Sequence, residues 1–313
     1  MALFYIVILT ELLKFNAMQS AIIHSFAWIL ARIPLRANHA VGAIIGWIAW
    51  VSRSKLRTIS EINLQLCFPD MDADQRSRIA KASLLETGKA LCESFWLWTQ
   101  PPEKVSQLIS ITEGESLLRD AQQSGRGVII AAPHLGAWEA CCLPLVVDKP
   151  VACLYQPPKQ PAMETLTING RINLGALPTK LDPQGIKSIL SKLKAGETVG
   201  ILPDQEPDLQ NGCFAPFFNV PANTITLLAR FASRTDAQVL LSYAERLPKG
   251  AGWHVKYFVG DANVSHSDKL IATTAINKGV ETCILDLPEQ YMWNYKRFRM
   301  LPDGTRRNYK TLP

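Results

Sequence analysis

The sequence predicts an α/β fold: a mostly parallel central sheet flanked by helices, with an N-terminal hydrophobic membrane-anchor helix. Three observations carry this. From about residue 127, short apolar runs alternate with helical segments, as in sheets built from strand–helix–strand units. The chain has 313 residues, enough for one large domain with a real core. Its first fifty residues are nearly uncharged: Glu11 and Lys14 are the only charges before Arg32.

The anchor helix is expected between about residues 5 and 33, ended near Pro34, where a ring nitrogen without a proton breaks the helical ladder. Ile22, Ile23, Phe26, Trp28, Ile29 and Leu30 supply its apolar bulk. A second apolar run, Ala40 to Val51, reads as an amphipathic or re-entrant helix. Neither run alone reaches the ~20 residues of a clean span, so two buried helices of a soluble domain compete with this reading. A secretory signal fits poorly, because no basic segment precedes the apolar stretch. Arg32, Arg36, Arg53, Lys55 and Arg57 flank these runs, which places the body on the cytoplasmic side by the positive-inside tendency. The chain thus divides into an anchor over residues 1–35 and a globular domain over 36–313.

Residues 72–98 read as a helix capped by Asp72 or Asp74, with Ile79, Leu84, Leu85, Leu91, Phe95 and Trp98 at roughly helical spacing and Pro101-Pro102 beyond. Strands are expected at Val128–Ala132, Val151–Tyr155, Leu177–Leu181, Thr198–Leu202, Gln238–Glu245 and Trp253–Val259. Helices are expected at Trp138–Val147, Glu164–Asn173, Gly185–Lys194, Ala222–Ser233 and Asp268–Asp286. A polar and aromatic loop fills the interval before residue 222.

The net charge of +6 suits an anionic membrane surface, a phosphorylated substrate or an acidic carrier, and equally an ordinary basic enzyme. No finger-type Cys/His spacing and no Lys/Arg tract interleaved with aromatics point to nucleic acid. Seven cysteines without a CxxC argue for reduced thiols facing the cytosol, with no metal site.

Pro133-His134-Leu135-Gly136-Ala137-Trp138-Glu139 follows the strand ending at Ala132. A histidine steered by a carboxylate acts as a general base on a hydroxyl near neutral pH. On one regular helix a spacing of five separates the pair by about 140°. With His134 in the turn and a helix starting near Gly136, Glu139 falls in the first turn and reaches back, fixing the tautomer. The bland alternative is a histidine that caps a helix beside a solvated Glu139. Asp204 also follows a strand end, so it and His134 are expected to share the crevice where ligands of such sheets bind.

His134-x4-Glu139 matches the HX4D/E box of the lysophospholipid acyltransferase superfamily. The surrounding words resemble its late lipid A branch, the lauroyl/myristoyl acyltransferases of Gram-negative bacteria. They are Gly127-Val-Ile-Ile-Ala-Ala-Pro-His134-Leu-Gly-Ala-Trp-Glu139, Tyr155-Gln-Pro-Pro, Arg171-Ile-Asn173, Leu202-Pro-Asp204-Gln205-Glu-Pro, Gly212-Cys-Phe-Ala-Pro-Phe217-Phe218-Asn-Val-Pro-Ala222, and Pro288-Glu289-Gln290-Tyr-Met-Trp293-Asn-Tyr-Lys296-Arg297-Phe. The similarity runs in order over roughly residues 40–300.

The resemblance implies transfer of a fatty acyl chain from acyl carrier protein to a hydroxyacyl group of a phosphorylated lipid A precursor, at the cytoplasmic face of the inner membrane, with no cofactor. It assigns His134 as base and Glu139 as its brace. It gives Arg171 a phosphate or oxyanion role, beside backbone N–H groups near Gly136. Tyr155, Asn173, Asp204, Gln205 and Arg297 join as substrate-binding or site-organising residues, though Arg297 also reads as part of a solvated basic tail. The family pattern often has arginine where Gln156 stands and histidine where Tyr295 stands. Those departures bear on acceptor contacts. Acylation of another glycolipid or aminolipid, and a non-catalytic membrane or carrier-binding scaffold, are the competing readings.

Overall fold

The computed structural model describes residues 21, 23–146, 150–158 and 160–310. Four helices lead the described residues. The first, α1, covers residues 23–32, and α2 (Leu35–Val51) starts directly after Pro34. Then come α3 (Lys55–Cys67), capped by the Ser54 hydroxyl, and α4 (Ala73–Leu97), capped by the Asp72 carboxylate. Glycines let α2 lie unusually close to α4. A Cβ on Gly46 would sit 2.2 Å from the Leu84 carbonyl oxygen, and one on Gly42 2.5 Å from that of Gly88. Asn38 and His39 turn inward, and the Asn38 amide bridges the Leu30 and Cys92 carbonyls at 3.1 Å each. Ile44, Trp47, Ile48 and Val51 consequently face outward, each about half exposed.

Residues 5–20 of the expected anchor lie outside the described residues. The described part, α1, packs Ala27 and Leu30 against Cys92 and Phe95 of α4 and leaves Trp28 and Ile29 exposed. No described helix is long and apolar enough to cross a membrane.

The rest is the expected α/β body. Its strands are β1 (Ile109–Glu113), β2 (Val128–Ala131), β3 (Val151–Tyr155), β4 (Ala176–Lys180), β5 (Thr198–Ile201), β6 (Gly212–Phe217), β7 (Val220–Ile225), β8 (Gln238–Arg246) and β9 (Trp253–Val259). Its helices are α5 (Pro102–Ser106), α6 (Glu115–Gln123), α7 (Pro161–Asn173), α8 (Pro183–Lys194), α9 (Leu227–Thr235) and α10 (Lys269–Asp286). Among the described residues the main sheet has the order β1-β9-β8-β2-β5-β3-β4. Its members from β8 to β4 run parallel; β9 is antiparallel to β8, and β1 follows β9. In β2, Ile129 and Ala131 enter one core layer and Val128 and Ile130 the other, so both faces are covered.

The structure departs from the sequence reading in three places. The expected helix at 138–147 is a 3₁₀ helix over Trp138–Leu145, because Pro144 within it cannot sustain an α ladder; Val147 lies outside the described residues. The loop and first turn of the expected helix at 222–233 are the hairpin β6–β7, and α9 starts only at Leu227. Phe218 and Asn219 form its turn with φ of 48° and 63°, the left-handed pair that a two-residue hairpin demands. The apolar pattern does not announce helices α3 and α5 or the β1–α6 unit.

Candidate active site

The site is built where two neighbouring strands end. Ala131 of β2 pairs with Ile201 of β5 in parallel register. His134 and Asp204 each lie three residues further on, so equal extensions from paired strands bring them together. The His134 backbone N–H donates to Asp204 Oδ2 at 2.9 Å, and the ring Nδ1 lies 2.8 Å from Oδ1. Because a carboxylate only accepts, Nδ1 carries the proton and Nε2 of the neutral ring presents its lone pair. Asp204 is 3% exposed. Burial pushes its carboxyl up, but the His134 ring and N–H, with Arg297 behind them, outweigh this and hold it below the ordinary aspartate range.

Glu139 does not brace His134. It stands in the first turn of the 3₁₀ helix, but both its oxygens are engaged elsewhere. Arg171 donates through Nη2 to Oε1 at 2.6 Å and through Nε to Oε2 at 3.0 Å, and Trp98 Nε1 adds a bond at 3.1 Å. Gly170 makes this possible: a Cβ there would lie 2.1 Å from the Trp98 side chain, so only glycine lets α7 dock on that ring. Burial raises the Glu139 carboxyl and is outweighed by Arg171, Trp98 and the field of His134, leaving it lowered.

The backbone N–H groups of Leu135, Gly136 and Ala137 are already bonded. Gly136 N–H goes to the Gln290 carbonyl at 3.1 Å, Ala137 N–H to that of Ala244 at 2.8 Å, and Leu135 N–H to that of Pro133 at 2.7 Å. Gly136 itself adopts φ 62° with no room for a Cβ, which would meet the Ala244 oxygen at 2.0 Å. Around His134 Nε2 the described partner is the side-chain amide of Gln205, at 3.2 Å.

The chain matches the family model for bacterial lipid A biosynthesis acyltransferases over residues 9–300. It belongs to that family. Among curated relatives it is 26% identical over 283 residues to a lipid A biosynthesis lauroyltransferase of Escherichia coli (strain K12), covering 90% of this chain and 92% of the relative. A palmitoleoyltransferase of the same strain is 26% identical over 277 residues (88% and 90% covered) and a myristoyltransferase 22% over 284 (90% and 87%). The chain is therefore a lipid A acyltransferase by family and an enzyme of the transferase class.

The remaining expected residues of this acyltransferase take varied places. Arg297 is neither on the surface nor in a solvated tail. It is 2% exposed, donates to the Asn223 carbonyl at 2.8 Å and to the Thr224 hydroxyl, and lies over the Phe217 ring. It clamps β7 to the C-terminal segment, and its charge helps to hold the Asp204 carboxyl low. Asn173 donates to the Gln100 carbonyl at 2.8 Å, which ties the end of α7 to the exit of α4. Tyr155, at the end of β3, donates to Glu164 at 3.2 Å, and Glu164 pairs with Lys180 at 3.0 Å. Burial and Glu164 raise the Tyr155 hydroxyl above its ordinary value.

Among the supporting residues, Arg246, Glu93 and His39 carry no sequence signal, and Gln290 carries only its place in the words of the resemblance. Arg246 donates to the Gly136 carbonyl at 2.9 Å while pairing with buried Glu93, and Gln290 exchanges hydrogen bonds with the Arg246 backbone. His39 of α2 meets the same Glu93 at 3.0 Å. A pocket of about 500 Å³, lined by Phe68, Met71, Ile79, Ala82 and Leu285 together with Gln75, Arg78 and Glu289, lies apart from His134. Phe68, Trp293 and Tyr291 stand in succession between it and Asp204.

Proposed function

We propose that this acyltransferase moves a fatty acyl chain from an acyl carrier protein thioester to a hydroxyacyl group of a lipid A precursor, with His134 as general base and Asp204 as the residue that orients it. The observation that carries the reading is the two-point grip of Asp204 on His134. One oxygen fixes the backbone and the other the ring proton, so Nε2 is the nitrogen left to accept from an acceptor hydroxyl. The alcohol's proton is hard to remove until its oxygen begins to bond to carbon, so a base positioned at the moment of attack is what the reaction needs. No acyl-enzyme is required, and the chain has no G-x-S-x-G elbow.

The Glu139–Arg171 pair has a different part. It supplies a fixed, charge-balanced wall next to the imidazole, and its carboxylate favours the imidazolium formed in the transition state. The exposed edge of Arg171, 15% of the side chain, serves acceptor contacts.

The inner membrane, on its cytoplasmic side, is the proposed setting. The outward apolar faces of α1 and α2 support it: Trp28, Ile29, Ile44, Trp47 and Ile48 are each at least half exposed, while polar Asn38 and His39 point inward. Arg32, Arg36, Arg53 and Lys55 border that face, the arrangement of an interfacial helix on anionic lipid.

The test is a reconstituted assay with the purified chain, carrier thioesters of graded length and an under-acylated lipid A precursor, read by mass spectrometry. The proposal expects one added acyl chain on the precursor, and none with His134→Ala. Acylation of a different glycolipid or aminolipid in preference to the precursor contradicts the acceptor, and undiminished activity of His134→Ala contradicts the base.

A further inference from the structure

The backbone N–H groups of residues 134–137 all have carbonyl or carboxylate partners, and two N–H groups of Arg171 are bound to Glu139. Acyl transfer nevertheless puts a negative charge on the thioester oxygen, and that charge needs a donor beside the attacked carbon. Gln205 has the required chemistry and place. Since Asp204 forces the lone pair of the neutral ring onto Nε2, the contact at 3.2 Å is the Gln205 amide N–H donating to that lone pair.

The side chain is exposed, but its backbone is pinned on both sides. Asp204 before it is bonded to His134. Glu206 after it is 9% exposed, its N–H donates to the Tyr295 hydroxyl at 2.9 Å, and its carboxylate accepts from Arg299 and from the Met300 N–H at 2.8 Å each. A neutral amide on a fixed stalk, touching the base, is a preorganised donor that solvent can reach.

We propose that Gln205 is a catalytic residue that donates a hydrogen bond to the thioester oxyanion; this rests on the general-base reading of His134. In the free enzyme its N–H occupies the Nε2 lone pair. The acceptor hydroxyl takes that place and releases the amide toward the carbonyl oxygen. The hydroxyl oxygen then bonds to the carbonyl carbon, its proton passes to Nε2, and the carbonyl π pair moves onto the oxygen that the Gln205 N–H faces. Collapse reforms the C=O bond and breaks C–S. The thiolate leaves and takes the proton from Nε2, giving ester and thiol with nothing else consumed.

The experiment compares wild-type chain with Gln205→Ala, Gln205→Met and His134→Ala, using a carrier thioester and the under-acylated precursor. Methionine keeps the bulk and removes the donor. Both Gln205 variants are expected to lose about 10²-fold in kcat, with KM within about threefold and melting temperature unchanged, as befits an exposed side chain. A kcat within about threefold of wild type in either variant, or a loss confined to KM, overturns the inference. If His134→Ala is inactive while Gln205→Ala is fully active, the donor role alone fails. If His134→Ala is also active, the base reading fails with it.

Discussion

Glu139 and Arg171 form a bidentate pair, with N···O distances of 2.6 and 3.0 Å and side chains only 6% and 15% exposed. The HX4D/E acid thus serves an arginine on another helix rather than the histidine of its own box. Removing one member strands the other's charge, which costs about 3–5 kcal/mol in a buried pair. Glu139→Gln and Arg171→Ala are each expected to lower stability by that order in urea titrations. The double variant Glu139→Gln/Arg171→Met is expected to recover part of the loss. Single variants as stable as wild type contradict the pairing.

Three buried carboxylates give the fold an acid limit. Burial raises Glu93, yet Arg246 and His39 bring it down to about 2; Glu139 and Asp204 are also lowered. A carboxyl lowered on folding binds protons more weakly in the folded chain than in the unfolded one. Its stabilisation is complete above the unfolded value of about 4 and is lost as pH falls through the folded value. The melting temperature is therefore expected to hold from pH 7 to about 5 and then to fall steeply toward pH 3. A flat profile down to pH 3 would falsify this ion-pair account.

Gly136 sets the turn that carries His134. At φ 62°, with the Ala244 oxygen 2.0 Å from any Cβ, alanine brings both backbone strain and a clash. Gly136→Ala is expected to cost about 1–3 kcal/mol from the strain alone, and to lower kcat at least tenfold because the turn also orients the proposed base. Denaturation and turnover measured on the same sample check both, and a variant with wild-type kcat contradicts the positioning role.

The outward face of α2 predicts membrane affinity. Trp47 and Ile48 are about half exposed and make little of the core. Trp47→Ser/Ile48→Ser is expected to reduce binding to vesicles containing anionic phospholipid several-fold in flotation assays, with melting unchanged. Binding equal to wild type contradicts this face as the contact.

The strands were legible because their signal is local. The apolar runs at 128–132, 151–155 and 253–259 bound β2, β3 and β9 to within a residue. The expected strand ends before His134 and Asp204 also point to one shared crevice. Their direct bond was not legible, because it depends on β2 and β5 being neighbours in register, a property of topology. Spacing along the chain favoured Glu139 for the same reason: it is near in sequence, whereas Asp204, seventy residues away, is near in space. Arg297 differs because arginine in a basic tail usually faces water; here its two terminal nitrogens bond to Asn223, Thr224 and Asn277 inside the core. The β6–β7 hairpin hid because Phe218 and Asn219 take left-handed turn positions without glycine.

The central claim is that Asp204 fixes the tautomer of the His134 base. Asp204→Asn tests it most directly: the amide is isosteric but can donate to Nδ1, which moves the ring proton to Nε2 and blocks the base. Turnover of the under-acylated precursor, measured with a carrier thioester at neutral pH alongside a melting curve, is the decisive reading. The account expects kcat to fall by about 10²–10⁴-fold in a protein that remains folded. A folded Asp204→Asn enzyme turning over within a few-fold of wild type would contradict it.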